Sequence, residues 1–165
     1  MIVQLTDYGV SVLTETKKPL EIAKYILGSA VNYTPSQTET GIRGEQVYTN
    51  SPTSPVAMSA NVVKYTCTLS YEIGTFSFGE VAFFDKDNNC LAVGVADVLI
   101  EKQKYKDSTF GNSIILDLYL SMVDGNYDMW IDDMRSDNEF NLPVCGSPDA
   151  LPPVSQSSSN FYIIT

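Results

Sequence analysis

The chain has 165 residues and a mass of 18.2 kDa, the size of one domain with room for an extended tail. Hydrophobic residues make up 44% of it and charged residues 18%, so the composition predicts a folded core and excludes global disorder. Twenty Asp and Glu against ten Lys and Arg give a net charge of -10. Nucleic acid is therefore not an expected partner, because its phosphates would be repelled.

The residue types that most catalytic sites need are scarce. Histidine is absent, which removes the commonest general acid or base near neutral pH and the commonest zinc ligand. Cys67, Cys90 and Cys145 lie far apart with no CxxC pair, so neither a disulfide framework nor a zinc ribbon is indicated. We predict that the protein is not an enzyme and holds no metal and no cofactor.

The ends of the chain carry no targeting signal that we can identify. The N-terminus has no basic, apolar leader, and no stretch of about 20 apolar residues occurs. We expect neither a secretion signal nor a membrane span.

The first predicted element is a short helix over residues 7–16. Thr6 suits the capping position and Asp7 the positive end of the helix, while Pro19 follows two lysines that suit its negative end. Val10 and Leu13 give the helix an apolar side. We expect these two residues to dock a partner protein.

The next 40 residues are less regular. Residues 20–28 alternate with a period of two, but they also place apolar residues on one helical face, and periodicity does not decide between strand and helix. Residues 29–59 are rich in Thr, Ser, Pro, Asn and Gly, which is typical of a surface connection. One short strand is predicted within it, at residues 46–48.

A β core is predicted over residues 61–131. Alternating apolar residues run from 61 to 73, followed by strands at 76–84 and 90–96 around an Asp- and Asn-rich turn, which indicates a β-hairpin. A second hairpin is predicted from strands at 114–121 and 127–131. The expected fold class is mainly β with a short N-terminal helix (α+β): an antiparallel, sandwich-like domain at residues 1–141 with an extended C-terminal arm.

The arm comprises residues 142–165 and holds four prolines and a serine run. Such a segment does not fold by itself. It nevertheless ends on four apolar residues that resemble a strand and would be costly to expose. We expect this tip to pair with the chain's own sheet or with a partner's edge; its residues are Phe161, Tyr162, Ile163 and Ile164.

Three groups of residues imitate known sites. Residues 85–89 begin like a calcium loop but lack its glycine and glutamate, so a hairpin turn is favoured. Asp128, Asp132 and Asp133 have the chemistry of a cation site or an acid–base pair, but a solvated acidic surface is favoured. Residues 124–165 contribute -6 of the net charge, which favours a basic partner.

Tyr127 and Trp130 are the candidates for an aromatic platform that would bind sugars. Core packing of both rings is favoured, because Trp is highly buried on average. A carbohydrate-binding β-sandwich for host-surface glycans nevertheless remains the alternative function. A glycan hydrolase using two of the Asp residues is the least favoured class.

Three patterns in this order resemble the N-terminal, baseplate-attaching region of tail-fibre proteins of contractile-tailed bacteriophages, the tail-collar fibre family. Residues 5–9, LTDYG, are similar to the family's LTDAG start. Residues 19–30, PLEIAKYILGSA, resemble its strand running into a glycine-containing turn. Residues 73–85, IGTFSFGEVAFFD, and 91–94, LAVG, resemble its hairpin, with Ala82 where the family has glycine.

The resemblance covers residues 1–100 and implies a structural virion protein. In the family a long trimeric shaft and a receptor-binding tip follow this region, whereas the present chain ends at Thr165. The resemblance therefore implies a short adaptor that anchors the tail fibre to the baseplate. The implied partners are other baseplate and tail-fibre proteins, together with a possible homo-oligomer. The implied location is the phage tail, after assembly in the host bacterial cytoplasm.

Overall fold

The structure, a computed structural model, describes the backbone of residues 1–105, 111–123 and 125–137, and side chains as far as residue 132. Within these ranges the chain is mainly antiparallel β with one short helix, which confirms the predicted fold class. The elements in chain order are β1 (Ile2–Leu5), α1 (Asp7–Thr16), β2 (Lys24–Gly28), β3 (Gln46–Asn50), β4 (Val56–Ala57), β5 (Val62–Leu69), β6 (Phe76–Phe84), β7 (Cys90–Lys102), β8 (Ser113–Val123) and β9 (Asn126–Asp137).

The strands form two sheets that pack face to face. The five-stranded sheet has the order β1-β7-β6-β2-β3, and the four-stranded sheet has the order β4-β5-β8-β9. All pairings are antiparallel. The edge strands β1 and β9 lie next to each other, so the sandwich is nearly closed along that side.

The main core lies between the sheets. Leu27, Val81 and Phe83 of the five-stranded sheet and Leu69 and Leu116 of the four-stranded sheet are all fully buried in one cluster. The alternation that predicted β5 reflects this arrangement, since every second side chain of a strand points to the same face.

The outer face of the five-stranded sheet has a core of its own. Ala82, Val93 and Val95 are buried there, and Tyr33 and Ile42 from the long connection between β2 and β3 pack over them. Both faces of this sheet are therefore covered, which explains why β6 and the first half of β7 read as nearly continuous apolar runs.

Several boundaries differ from the predicted ones. β1 was not predicted, because four residues ahead of a helix carry too short a pattern. Residues 24–28 form a strand, since they pair with β6 on one side and β3 on the other. β7 extends to Lys102 and contains an irregularity, with four residues between Val95 and Ile100 opposite the single residue Gly79. The predicted arm lies outside the described residues.

Candidate functional site

The start of α1 is fixed to β7 by one threonine. The Thr6 hydroxyl accepts a hydrogen bond from the Gly9 amide (3.0 Å) and donates one to the Cys90 carbonyl (2.7 Å). Its own amide donates to the Leu91 carbonyl (3.0 Å), and Thr6 is only 2% exposed. The cap that the sequence predicted therefore also determines where the helix lies on the sheet.

Gly9 allows the helix to approach β7 closely. A Cβ atom at this position would lie 2.3 Å from the Leu91 carbonyl oxygen, a distance that two non-bonded atoms do not tolerate. Sequence reasoning missed this role. The available signal was a glycine in the first turns of a helix, where it would otherwise be unfavourable.

The two helix residues expected to dock a partner occupy different environments. Leu13 is fully buried in the main core, and Val10 is partly buried against the same cluster. The Tyr127 hydroxyl donates to the Leu13 carbonyl (3.4 Å), which ties the helix to β9. The surface that α1 exposes consists instead of its polar side and Tyr8, which is 41% exposed.

Tyr8 connects the helix to the β6–β7 turn. Its hydroxyl donates to Asp85 Oδ2 (2.9 Å) and accepts from Asn89 Nδ2 (3.2 Å). The hydrogen bond to the Asp85 carboxylate raises the pKa of Tyr8. Although partial burial opposes it, hydrogen bonds from the Asn89 amide and the Tyr8 hydroxyl hold the pKa of Asp85 below its ordinary value.

A groove of about 530 Å³ runs along this side of α1. Its walls come from the helix, the segment 18–23, the segment 52–55 and the β6–β7 turn. Its lining combines apolar side chains with charged ones. We call it the α1 groove; its lining includes Tyr8, Val12, Pro19, Ile22, Pro52 and Pro55.

A buried carboxylate organises the connection between β2 and β3. Glu80 is 0% exposed, and each of its two oxygens accepts two hydrogen bonds. Oε1 accepts from the Tyr33 hydroxyl (2.6 Å) and the Arg43 amide (2.8 Å). Oε2 accepts from the amides of Ala30 (3.1 Å) and Gly44 (2.7 Å). Four donors replace the water that the carboxylate loses on burial.

The side chains above Glu80 complete this arrangement. The Arg43 guanidinium lies over the Tyr33 ring, 4.0 Å from its centroid, and its Nε donates to Glu39 Oε1 (3.3 Å). This ion pair lowers the pKa of Glu39, whereas burial and the hydrogen bond to Glu80 raise the pKa of Tyr33. The long connection is therefore a defined surface feature.

The imitations of other sites have structural explanations. Asp85 Oδ1 accepts from the amides of Asp87 and Asn89 (both 2.9 Å), and Asn88 adopts a φ of 66°, so residues 85–89 form the predicted hairpin turn. Among the described residues no group of three or more Cys, Asp or Glu could hold a metal ion. Asp128 and Asp132 are exposed, and the side chain of Asp133 lies outside the described part.

Cys67 and Cys90 are buried free thiols. Burial raises the pKa of Cys67 to about 12 and that of Cys90 to about 11, which makes both poor nucleophiles. The prediction that Cys67 is a core thiol is confirmed. Cys145 lies outside the described residues.

Tyr127 and Trp130 do not form a shared platform. Tyr127 packs against the main core, whereas Trp130, three residues further along β9, lies on the opposite face and stacks on Tyr119. The expectation of core packing for both rings is thus wrong for Trp130, because the odd spacing puts the two side chains on different faces.

Comparison with known families identifies the class of protein. Residues 3–129 match the family described as "Phage tail-collar fibre protein, N-terminal". This range is most of the chain and includes α1, the α1 groove and Glu80. It defines a structural component of a bacteriophage tail.

The chain belongs to this tail-collar fibre family, as its three sequence patterns indicated. Its family is one of structural tail proteins that interact with other tail proteins in the virion, and it is not a class of enzymes. No curated protein and no solved structure matches the chain. In the part that the structure describes, no helix is long and apolar enough to cross a bilayer.

Proposed function

We propose that the protein is an adaptor that anchors a tail fibre to the phage baseplate through protein–protein contacts, and that it joins the tail during assembly in the host cytoplasm. The family match over residues 3–129 supports this role. In this proposal residues 1–141 form the attachment domain and residues 142–165 form an arm toward a second partner.

The first docking surface is proposed at the N-terminal helix. Val10 and Leu13 hold α1 against the core, so their contribution is to position the helix. The partner contacts themselves are assigned to Tyr8 and the α1 groove. An open groove lined by both apolar and charged side chains suits an extended segment of another protein.

The second docking surface is proposed at the end of the arm. Phe161, Tyr162, Ile163 and Ile164 would add to the edge of a partner's sheet, where main-chain hydrogen bonds supply affinity and alternate side chains supply specificity. An arm of 24 residues can span about 70 Å when extended at about 3 Å per residue.

Particle assembly tests the two surfaces separately. In cells infected by phage that lack the gene, the chain without residues 155–165 should be folded but absent from purified particles. Tyr8→Ala should reduce incorporation, whereas Tyr71→Ala, which removes another exposed tyrosine, should not. Wild-type incorporation of the shortened chain would overturn the role of the arm, and wild-type incorporation of Tyr8→Ala would overturn that of the groove.

A further inference from the structure

The outer face of the four-stranded sheet carries two stacked aromatic rings. Tyr119 on β8 and Trp130 on β9 are direct partners in the register, with ring centroids 5.6 Å apart and planes inclined by 15°. Neither ring belongs to a hydrophobic core cluster of the described residues. Both remain partly exposed, so the pair presents an aromatic surface outward.

Carboxylates flank the pair on both sides along the strands. Asp128, opposite Ser121, precedes the pair, and Asp132, opposite Asp117, follows it. Because register partners share a face, these groups lie on the same face as the rings. Asp128 and Asp132 are exposed. We call this arrangement the acidic platform.

The remaining neighbours leave the acidic platform negative. Asp117 is 4% exposed and accepts a hydrogen bond from the Thr66 hydroxyl (3.2 Å). Lys64, the register partner of Tyr119 on β5, is the cationic side chain beside the rings among residues whose side chains are described. Among the side chains that the structure describes, three carboxylates thus accompany one lysine.

We propose that the acidic platform binds an arginine- or lysine-bearing segment of a partner protein. An arginine guanidinium stacks favourably on a Trp ring, and nearby carboxylates pair with its charge. A net charge of -10 on the chain favours the approach of a basic partner. This inference rests on the proposed adaptor function and adds to it the chemistry of one contact with a partner.

The choice of a cation over a sugar follows from the charges. Stacked aromatic rings suit either ligand, but a neutral sugar gains no long-range attraction from Asp128 and Asp132. A cationic side chain gains attraction from both carboxylates and from the ring face.

Trp130 is the protein's single tryptophan and therefore reports on the acidic platform directly. The full chain would be titrated with a capped peptide that contains two arginines, and in parallel with the same peptide carrying glutamine at both positions. We expect a saturable change in tryptophan fluorescence with the arginine peptide alone. Raising NaCl from about 50 mM to about 500 mM should weaken binding several-fold, since exposed charges are screened.

Charge variants provide the matched comparison. Asp128→Asn with Asp132→Asn should raise the Kd of the arginine peptide at least about fivefold, because two partners of the cation are lost. Glu72→Gln with Asp97→Asn removes two exposed charges outside the acidic platform and should leave the Kd unchanged. Circular dichroism would confirm that both variants fold.

Three results would overturn the inference: no response to the arginine peptide, an equal response to the glutamine peptide, or a response to a soluble glucose oligosaccharide in place of the peptide. A chain that enters particles without binding the arginine peptide contradicts the acidic platform alone. A chain that binds the peptide but never enters particles contradicts the adaptor function alone.

Discussion

At the scale of single residues, the buried Glu80 organises the connection between β2 and β3. Its four donors come from the connection between β2 and β3, and two glycines make room for them. A Cβ atom on Gly28 would lie 2.4 Å from Glu80 Oε2, and one on Gly44 would lie 2.9 Å from the same oxygen. From the sequence, residue 80 could be predicted only as part of a hairpin. Its hydrogen-bond partners are tertiary contacts, up to 50 residues away along the chain.

Glu80→Gln should destabilise the fold by about 3 kcal/mol. The glutamine NH2 group would replace one carboxylate oxygen, which now accepts two hydrogen bonds. It would face two N–H or O–H donors of the connection, so buried donors would be left without an acceptor. The free energy of unfolding in urea measures the loss, and trypsin should cleave faster after the exposed Arg43. Glu45→Gln, at an exposed position, is the control, and equal stability of the two variants would refute the role of Glu80.

Removing the hydroxyl group from each of two buried tyrosines should change the stability in opposite directions. The Tyr25 hydroxyl is buried with no hydrogen-bond partner among the described residues, whereas the Tyr65 hydroxyl donates to the Leu20 carbonyl (2.7 Å). Tyr25→Phe should be neutral or stabilising by up to about 1 kcal/mol, and Tyr65→Phe should be destabilising by about 1 kcal/mol. Urea unfolding compares them, and the reverse order would be inconsistent with the observed bonds.

Lys102 predicts a pH dependence of stability. It is fully buried, its ammonium donates to the carbonyls of Ile73 and Gln103, and burial lowers its pKa to about 8 from an ordinary 10.5. Between these values the unfolded chain holds the proton that the folded chain has released, so the contribution of Lys102 to stability rises with pH. Below pH 8 both states are protonated and that gain is absent.

The comparison with Lys102→Met isolates this effect, because other titrating groups are common to both proteins. The stability difference, wild type minus variant, should increase as the pH is raised from 8 to 10.5. A constant difference in urea unfolding across that range would show that Lys102 keeps its ordinary pKa.

At the scale of elements, the helix illustrates a conflict between local preference and packing. Replacing a helical glycine by alanine ordinarily stabilises by about 0.5–1 kcal/mol. Gly9→Ala should instead destabilise by about 2 kcal/mol or more, because the new methyl group would meet the Leu91 carbonyl at 2.3 Å and overpacking is costly. Thermal unfolding measures this effect, with Ser11→Ala on the exposed side of α1 as the control. A stabilised Gly9→Ala would mean that α1 does not lie as closely on β7.

The strands show which strand boundaries can be predicted from the periodicity of apolar residues. β6 was predicted with its observed bounds. Turn residues lie at both of its ends, and the residues between them are mostly apolar. β5 was predicted to continue to residue 73 but ends at Leu69. Alternation of apolar residues persists there, yet Ile73 donates its amide to the Ser70 carbonyl in a turn. Local hydrogen bonds thus end the strand where hydrophobicity alone would extend it.

At the scale of the whole molecule, the arm at residues 142–165 makes a prediction about assembly testable. Light scattering would compare the mass of the full chain with that of a chain ending at Pro143. An oligomer that dissociates to monomers on truncation would identify the arm's partner as a like subunit, because an apolar tip favours edge pairing. A monomer in both cases would contradict self-association and direct the arm toward a different protein.

The fold class, the capped helix and the main hairpins could be predicted from the sequence because each depends on patterns among neighbouring residues. The family could be predicted because three such patterns follow one another in the family's order. The folded structure was needed to show that Leu13 belongs to the core, that the Trp130 side of β9 faces outward, and that Glu80 organises a distant connection. These features depend on how the helix, the two sheets and the connection pack against one another. That outcome is set by strand register and by the satisfaction of buried polar groups across the whole chain.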